Sequence, residues 1–179
     1  MAEQFSSLNE KHIKFIQNQH IFFVGTAGAE GFVNVSPKGM DSLRIINESK
    51  VAWLNVTGSG NESAAHVLEN GRMTLMFCSY DKQPLIFRIY GQAKVIHPRD
   101  DDWSKLESLF PAYSGARNIF ELDIDMVQTS CGYAVPYYEY TGERPTLNNW
   151  ADKKGQTGIE EYWQEKNTLS LDGKDTGIF

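Results

Sequence analysis

Short apolar runs separated by turn residues fill most of the chain between residues 21 and 127, which is typical of antiparallel β-strands. The clearest strand pattern runs from Phe120 to Met126, where apolar and acidic residues alternate strictly. That period of two predicts one buried face and one solvated face. Similar runs predict further strands at residues 21–26, 32–36, 43–46, 50–56, 72–78 and 85–96. The pattern therefore predicts a β-meander.

Helical spacing and capping residues predict helices around this sheet. Leu8 to Gln19 forms one amphipathic stripe with Asn9 as a cap. Ser59 and Glu62 have the spacing of a capping box that opens a helix ending near Asn70. Other short helices are predicted at residues 101–110, 147–154 and 159–166. We expect a mostly β fold with peripheral helices in a single domain, residues 1–179, with its core at about 19–130 and a C-terminal extension at about 131–179.

Composition and charge exclude several classes of function. The net charge is −6 and there is no Lys/Arg-rich stretch, so we do not expect nucleic-acid binding. No segment approaches the roughly 18 apolar residues of a membrane helix, and we expect a cytoplasmic protein with no membrane contact. Cys78 and Cys131 are expected to be free thiols, and the four histidines have no spacing that predicts a metal site.

Two loops are candidates for binding a ligand. The segment 57–63 joins a strand to a helix through a Gly-rich turn, an arrangement that can bind phosphate with backbone N–H groups and the helix dipole. Asn34 and Ser36 share one strand face, and Lys38 follows at the strand end, where an ammonium could meet a phosphate or an electron-rich ring. Taken separately, an ordinary capped helix and a solvated lysine explain these features better than a ligand site does.

The aromatic cluster between Tyr133 and Tyr140 leaves a similar choice open. Aromatic side chains can stack on a planar ring, but they also fill cores and dimer interfaces. A nucleophilic Cys131 is not favoured, because no neighbouring residue in the sequence would lower the pKa of its thiol.

The order and spacing of five segments resembles the pyridoxamine 5′-phosphate oxidase family. These segments are FVGT at 23–26, VNVSPKG at 33–39, VAWL at 51–54, TGSGNE at 57–62 and ENGR at 69–72. Three later segments resemble one branch of that family, namely QTSCGY at 128–133, GER at 142–144 and KKG at 153–155. The resemblance covers roughly residues 19–95 of the core.

The resemblance implies a six-stranded antiparallel split β-barrel, a homodimer, and flavin mononucleotide (FMN) bound at the subunit interface. It implies a cofactor site that includes Asn34, Ser36, Lys38, Thr57, Ser59, Asn61, Ser63, Arg88 and Ser130. The chain departs from the family at Glu62-Ser63, where the oxidases have an Arg-Lys pair that binds the flavin phosphate. Since a carboxylate repels a phosphate by about 1 kcal/mol in water at contact distance, other groups must bind it.

The resemblance therefore implies a flavin-dependent oxidoreductase that acts on a small-molecule substrate or electron donor of unknown identity. The chain lacks the Arg-x-His type segment that the oxidases use on pyridoxal substrates, so vitamin B6 oxidation is not expected. The alternative is a non-catalytic module that binds flavin, a deazaflavin or haem, with His20 as the nearest haem ligand. A third possibility is an empty barrel that acts as a dimeric interaction protein.

Overall fold

A computed structural model describes residues 2–179, and in that range it contains eight strands and four helices. The strands are β1 (Glu3–Phe5), β2 (Phe22–Thr26), β3 (Asn34–Lys38), β4 (Leu43–Asn47), β5 (Lys50–Val56), β6 (Arg72–Cys78), β7 (Ile86–Ile96) and β8 (Ala116–Ser130). The helices are α1 (Glu10–Gln17), α2 (Glu62–Asn70), α3 (Trp103–Glu107) and α4 (Thr146–Lys166).

All eight strands join one antiparallel sheet in the order β3-β2-β6-β7-β8-β5-β4, with β1 paired to β8. The strands β3 and β4 are its open edges. Lys38 in β3 nevertheless reaches Asn55 in β5, with 3.4 Å between the lysine Nζ and the amide Oδ1, although four strands separate β3 from β5 in the sheet. The sheet therefore curls on itself into an incomplete barrel.

The interior of the barrel is aromatic. Trp53 in β5 and Phe120 in β8 are directly opposite each other and stack with ring centroids 4.5 Å apart. Phe77 and Phe87, on the neighbouring pair β6 and β7, are equally buried. Burying one such side chain stabilises a fold by roughly 1.5–3 kcal/mol, so the alternating apolar positions are what fix the register of the strands.

The predicted mostly β fold with peripheral helices is confirmed, and the seven strands that the sequence pattern predicted are present, but the sheet has eight strands instead of the six that the resemblance implied. The strand β1 has only three residues, too few for a periodic pattern to show in the sequence. It pairs with residues 127–129 of β8, while β5 pairs with residues 116–123 of the same long strand. The 15 residues of β8 thus carry two partners along one edge.

Two capping predictions had different outcomes. Asn9 caps α1 as predicted, because its Oδ1 accepts a hydrogen bond from the backbone N–H of His12 at 3.0 Å. The capping box at Ser59 is wrong, since α2 begins at Glu62 after Asn61, whose side chain makes no cap hydrogen bond. Instead, the Oδ1 of Asn61 accepts a hydrogen bond from Asn118 in the interior.

The C-terminal extension packs against the barrel. The two short helices predicted there are continuous except for a kink at Gly155, whose φ of 65° suits a residue without a Cβ. Gly132 lets the start of the extension pass close to Leu85, because a Cβ at this position would lie 2.7 Å from the backbone nitrogen of Leu85. The later half of α4 buries Ile159 and Trp163 against Ile178 near the C-terminus.

Candidate functional site

The polar residues of β3 lie on the inner face of the barrel. Asn34, Ser36 and Lys38 are directly opposite Thr26, Val24 and Phe22 of β2, all of which are buried. Asn34 also reaches the start of α2, where its Nδ2 donates a hydrogen bond to Ser63 Oγ at 3.2 Å. The structure thus brings together Asn34, Ser36, Lys38 and Ser63. We refer to the space between β3 and the loop 57–63 as the cleft.

Lys38 carries an ammonium into a poorly solvated environment. Its Nζ lies 5.2 Å from the centre of the Trp53 ring and is within hydrogen-bond distance of Asn55. Burial, together with a smaller effect of the nearby Arg117, lowers the pKa of Lys38 to about 8, against the opposite effect of Glu62. An anion that enters the cleft would stabilise the charged form of this lysine.

A second buried cation, Arg117, lies beneath the loop 57–63. Its side chain is 2% exposed, and its Nη1 donates a hydrogen bond to Asn167 Oδ1 at 2.7 Å. Burial lowers its pKa to about 10, while Glu62 acts in the opposite direction. The Nε of Arg117 and the Nδ2 of Asn61 are buried without hydrogen-bond partners among residues 2–179.

Arg117 is not among the site residues that the sequence predicted. Its signal is the sequence Arg117-Asn118 immediately before the apolar pair Ile119-Phe120 in the longest strand. A charged residue on a buried strand is unusual unless it has a partner, so the pattern itself pointed to an internal polar contact.

The loop 57–63 is partly used by the fold itself. Thr57 is 1% exposed, donates a hydrogen bond to the Gly115 carbonyl oxygen at 2.9 Å, and accepts one from Trp163 Nε1 at 2.8 Å. Asn167 donates a further hydrogen bond from its Nδ2 to the Gly58 carbonyl oxygen at 3.1 Å. The hydroxyl of Thr57 is therefore committed to the C-terminal extension.

Residues 58–60 of the loop remain available to a ligand. Ser59 is exposed, and a Cβ added at Gly58 would meet nothing within 4 Å. The backbone N–H groups of Gly58, Ser59 and Gly60 donate no hydrogen bond to another group within residues 2–179. Free N–H groups ahead of a helix suit a phosphate, although the Glu62 carboxylate lies beside Gly60 and opposes an anion there.

Arg88 and Ser130 lie elsewhere. They are linked by a hydrogen bond of 3.2 Å from Arg88 Nη1 to Ser130 Oγ. Arg88 is opposite Met76, which in turn is opposite Phe23, so it lies on the face of the sheet that points away from Lys38. One chain alone therefore does not bring these two residues to the cleft.

Comparison with known proteins gives this geometry a context. Residues 8–131 match the sequence model of the pyridoxamine 5′-phosphate oxidase family. The chain belongs to this family. Its members usually bind flavin on this fold, although some are flavin-independent. The match ends at the beginning of the extension, so residues 132–179 lie beyond the part that this model covers.

Individual relatives agree with this assignment. The chain is 36% identical to the pyridoxamine 5′-phosphate oxidase family protein ustO of Aspergillus flavus, over 94% of this chain and 75% of that protein. In fold it is similar to a pyridoxamine 5′-phosphate oxidase-like protein of Lactobacillus delbrueckii, with a TM-score of 0.56, 22% identity, and coverage of 69% of this chain and 94% of the other. It is also similar to HupZ of Group A Streptococcus, with a TM-score of 0.54, 16% identity, and coverage of 68% and 98%.

Two other expectations concern metals and membranes. Within residues 2–179, no group of three or more His, Cys, Asp or Glu residues is placed to bind a metal ion. His20, considered above as a haem ligand, is exposed and stacks on Tyr140 with ring centroids 3.7 Å apart. None of the helices in this range combines the length and the apolar character that spanning a membrane requires.

Proposed function

We propose that this protein binds FMN in the cleft between β3 and the loop 57–63, and that it is a flavin-dependent oxidoreductase. The observation that carries the proposal is a pair of cations, the half-buried Lys38 and the buried Arg117, with Glu62 as the carboxylate that acts on both. Such an excess of positive charge in a poorly solvated region favours an anionic ligand. In this family, a flavin phosphate is the ligand that best satisfies it.

The residues present fit the phosphate without the Arg-Lys pair of the oxidases. The free N–H groups of residues 58–60 would donate hydrogen bonds to it, together with the hydroxyl of Ser59. Arg117, buried below the loop, would offset the repulsion from Glu62. Thr57 would act indirectly, because its hydroxyl ties the loop to Trp163 rather than facing a ligand.

The polar face of β3 would orient the planar part of the cofactor. Asn34 and Ser36 offer hydrogen-bonding groups along the strand, and Lys38 offers an ammonium at its end. The bound flavin would supply the electron transfer, so no catalytic side chain is needed for that step.

A homodimer with flavin at its interface is part of the proposal. The outer side of β3 exposes Val35 to 64%, and Phe32 and Val33 just before the strand are exposed to 69% and 72%. An apolar strip of this kind on an edge strand favours burial against another chain. A second copy would also explain how Arg88 and Ser130, on the face away from Lys38, could contribute to one cofactor site.

The absorption spectrum of the purified protein and its melting temperature with added FMN test the cofactor. We expect a flavin spectrum, or a rise in melting temperature that corresponds to about 2.7 kcal/mol at a hundredfold excess over the dissociation constant. A colourless protein whose melting temperature does not respond to FMN contradicts the proposal.

A matched pair of variants tests the cleft. Lys38→Glu should abolish FMN binding, because it reverses the charge on the inner face of β3. Lys105→Glu makes the same change on the exposed surface of α3 and should bind FMN like the wild type. Equal loss in both variants would mean that only net charge matters.

Reduction of the bound flavin separates an oxidoreductase from a binding module. Under anaerobic conditions we expect at least one physiological reductant, such as NADPH, to bleach the flavin absorption, and oxygen to restore it. Flavin that stays oxidised with every such reductant would instead favour the non-catalytic module.

A further inference from the structure

A large cavity separates the C-terminal extension from the barrel. Its volume is about 1070 Å³, which matches the upper end of ligand pockets in proteins. Four segments distant in sequence form its wall, at residues 18–21, 37–40, 80–81 and 138–150. The extension supplies the largest share, and it lies beyond the region that the family model covers.

Three tyrosines and one tryptophan contribute to this wall. Tyr138 and Tyr80 meet edge to face at 5.3 Å, and the backbone N–H of Tyr138 donates a hydrogen bond to the Tyr80 carbonyl oxygen at 3.3 Å. On the opposite side, Tyr140 stacks flat on His20, and Trp150 of α4 completes the lining. These contacts restrict the aromatic rings before any ligand arrives, which reduces the entropy cost of binding, and they leave Tyr138 and Tyr140 71% and 49% exposed.

The charges on the wall favour a cation. Its carboxylates are Asp81, Glu139 and Glu143, against the two cations Lys38 and Arg144. Glu139 makes no hydrogen bond or ion pair with another side chain in residues 2–179, so its charge is available to a ligand. Electron-rich tyrosine faces attract a cation further at partly desolvated sites, whereas the Trp150 ring already has the Lys154 ammonium 5.8 Å from its centre.

We propose that this cavity is a substrate pocket for a planar aromatic molecule that carries a positive charge. Lys38 belongs both to the cavity wall and to the polar face of β3, so a molecule in the pocket would lie beside the proposed flavin. In assigning a substrate to that flavin the inference rests on the proposed function. Binding in the pocket itself does not require flavin.

Two pyrene derivatives with the same ring system test the pocket, the cation 1-pyrenemethylammonium and the anion 1-pyrenesulfonate. Pyrene absorbs where tryptophan emits, so energy transfer from the protein reports its binding. We expect the cation to bind saturably and the anion to bind at least about tenfold more weakly. Equal affinity for the two probes would overturn the charge assignment.

Variants then locate the probe. Trp150→Ala and Tyr138→Ala should each weaken binding of the cation by about tenfold, measured by anisotropy of the pyrene emission. Tyr137→Ala removes the same type of side chain from the same segment, but Tyr137 is outside the cavity wall, so this variant should bind the cation with unchanged affinity. Circular dichroism and melting temperatures verify that each variant is folded.

The result is independent of the cofactor. Binding that Trp150→Ala and Tyr138→Ala weaken, in a protein that fails to bind FMN, supports the pocket and rejects the proposed function. No binding of the cation, or equal affinity in all three variants and the wild type, overturns the pocket. Repeating the titration with saturating FMN should leave the affinity within about threefold, because the probe and flavin sites adjoin but are separate.

Discussion

Removing the charge of Lys38 should stabilise the ligand-free protein while it weakens FMN binding. Lys38→Met keeps a flexible apolar stem over Trp53, where sulfur–aromatic contacts are favourable, and deletes the ammonium. Burial lowers the pKa of Lys38 from 10.5 to about 8, which corresponds to about 3 kcal/mol against the charged form in the folded state. Losing the hydrogen bond to Asn55 costs about 1 kcal/mol. The variant should therefore be more stable by about 2 kcal/mol below pH 8.

The sign of this effect depends on pH. The pKa is lower in the folded protein than in the unfolded chain, so between pH 8 and 10.5 the unfolded chain binds more protons. Wild-type stability should then rise with pH across this window, and the advantage of Lys38→Met should shrink and reverse. FMN favours the charged lysine, so its affinity for the wild type should fall as the pH rises above 8.

Urea unfolding of both proteins from about pH 6 to pH 10 measures the stability difference, and fluorescence titration measures FMN affinity. We expect FMN to bind Lys38→Met about 10- to 100-fold more weakly, from the loss of one charge-assisted hydrogen bond. A variant that is less stable than the wild type at every pH would refute the reasoning. The contacts of Lys38 with Asn55 and Trp53 would then stabilise the protein by more than the burial of its charge destabilises it.

Three further changes test other parts of the structure. Trp163→Phe removes the N–H that donates to Thr57, and it should cost about 1–3 kcal/mol in urea unfolding and weaken FMN binding through the loop. Glu121→Gln should lower the free energy of unfolding by about 1–2 kcal/mol at neutral pH. Burial raises the pKa of Glu121, but the hydrogen bonds from Lys50 and Lys94 outweigh burial and lower the pKa. That cost should disappear as the pH falls below the pKa of an ordinary glutamate, about 4.3, which unfolding curves across this range would show. Val35→Glu places a charge on the exposed strip and should convert a dimer to monomer in sedimentation equilibrium, whereas an unchanged mass would exclude this strip as the interface.

Local patterns in the sequence predicted much of the fold. The strands at residues 50–56 and 72–78 have the predicted bounds, because apolar periodicity and flanking turns determine them locally. The polar face of β3 was also visible, since Asn34 and Ser36 are two residues apart and must point the same way in a strand. The order of the motifs was sufficient to predict the family, and the match over residues 8–131 confirms that prediction.

Contacts between distant segments decided the rest. The short strand β1 exists because β8 has room to pair with it, and the loop 57–63 is shaped by Trp163, which follows Thr57 by 106 residues. Arg117 becomes a buried cation next to Lys38 only when β8 lies beneath the start of α2. Sequence alone determined which strand faces are polar, because side-chain alternation is a local property of the backbone. The curl of the sheet determines which polar groups share one cleft and how far burial lowers the pKa of Lys38. Only the tertiary structure decides that curl.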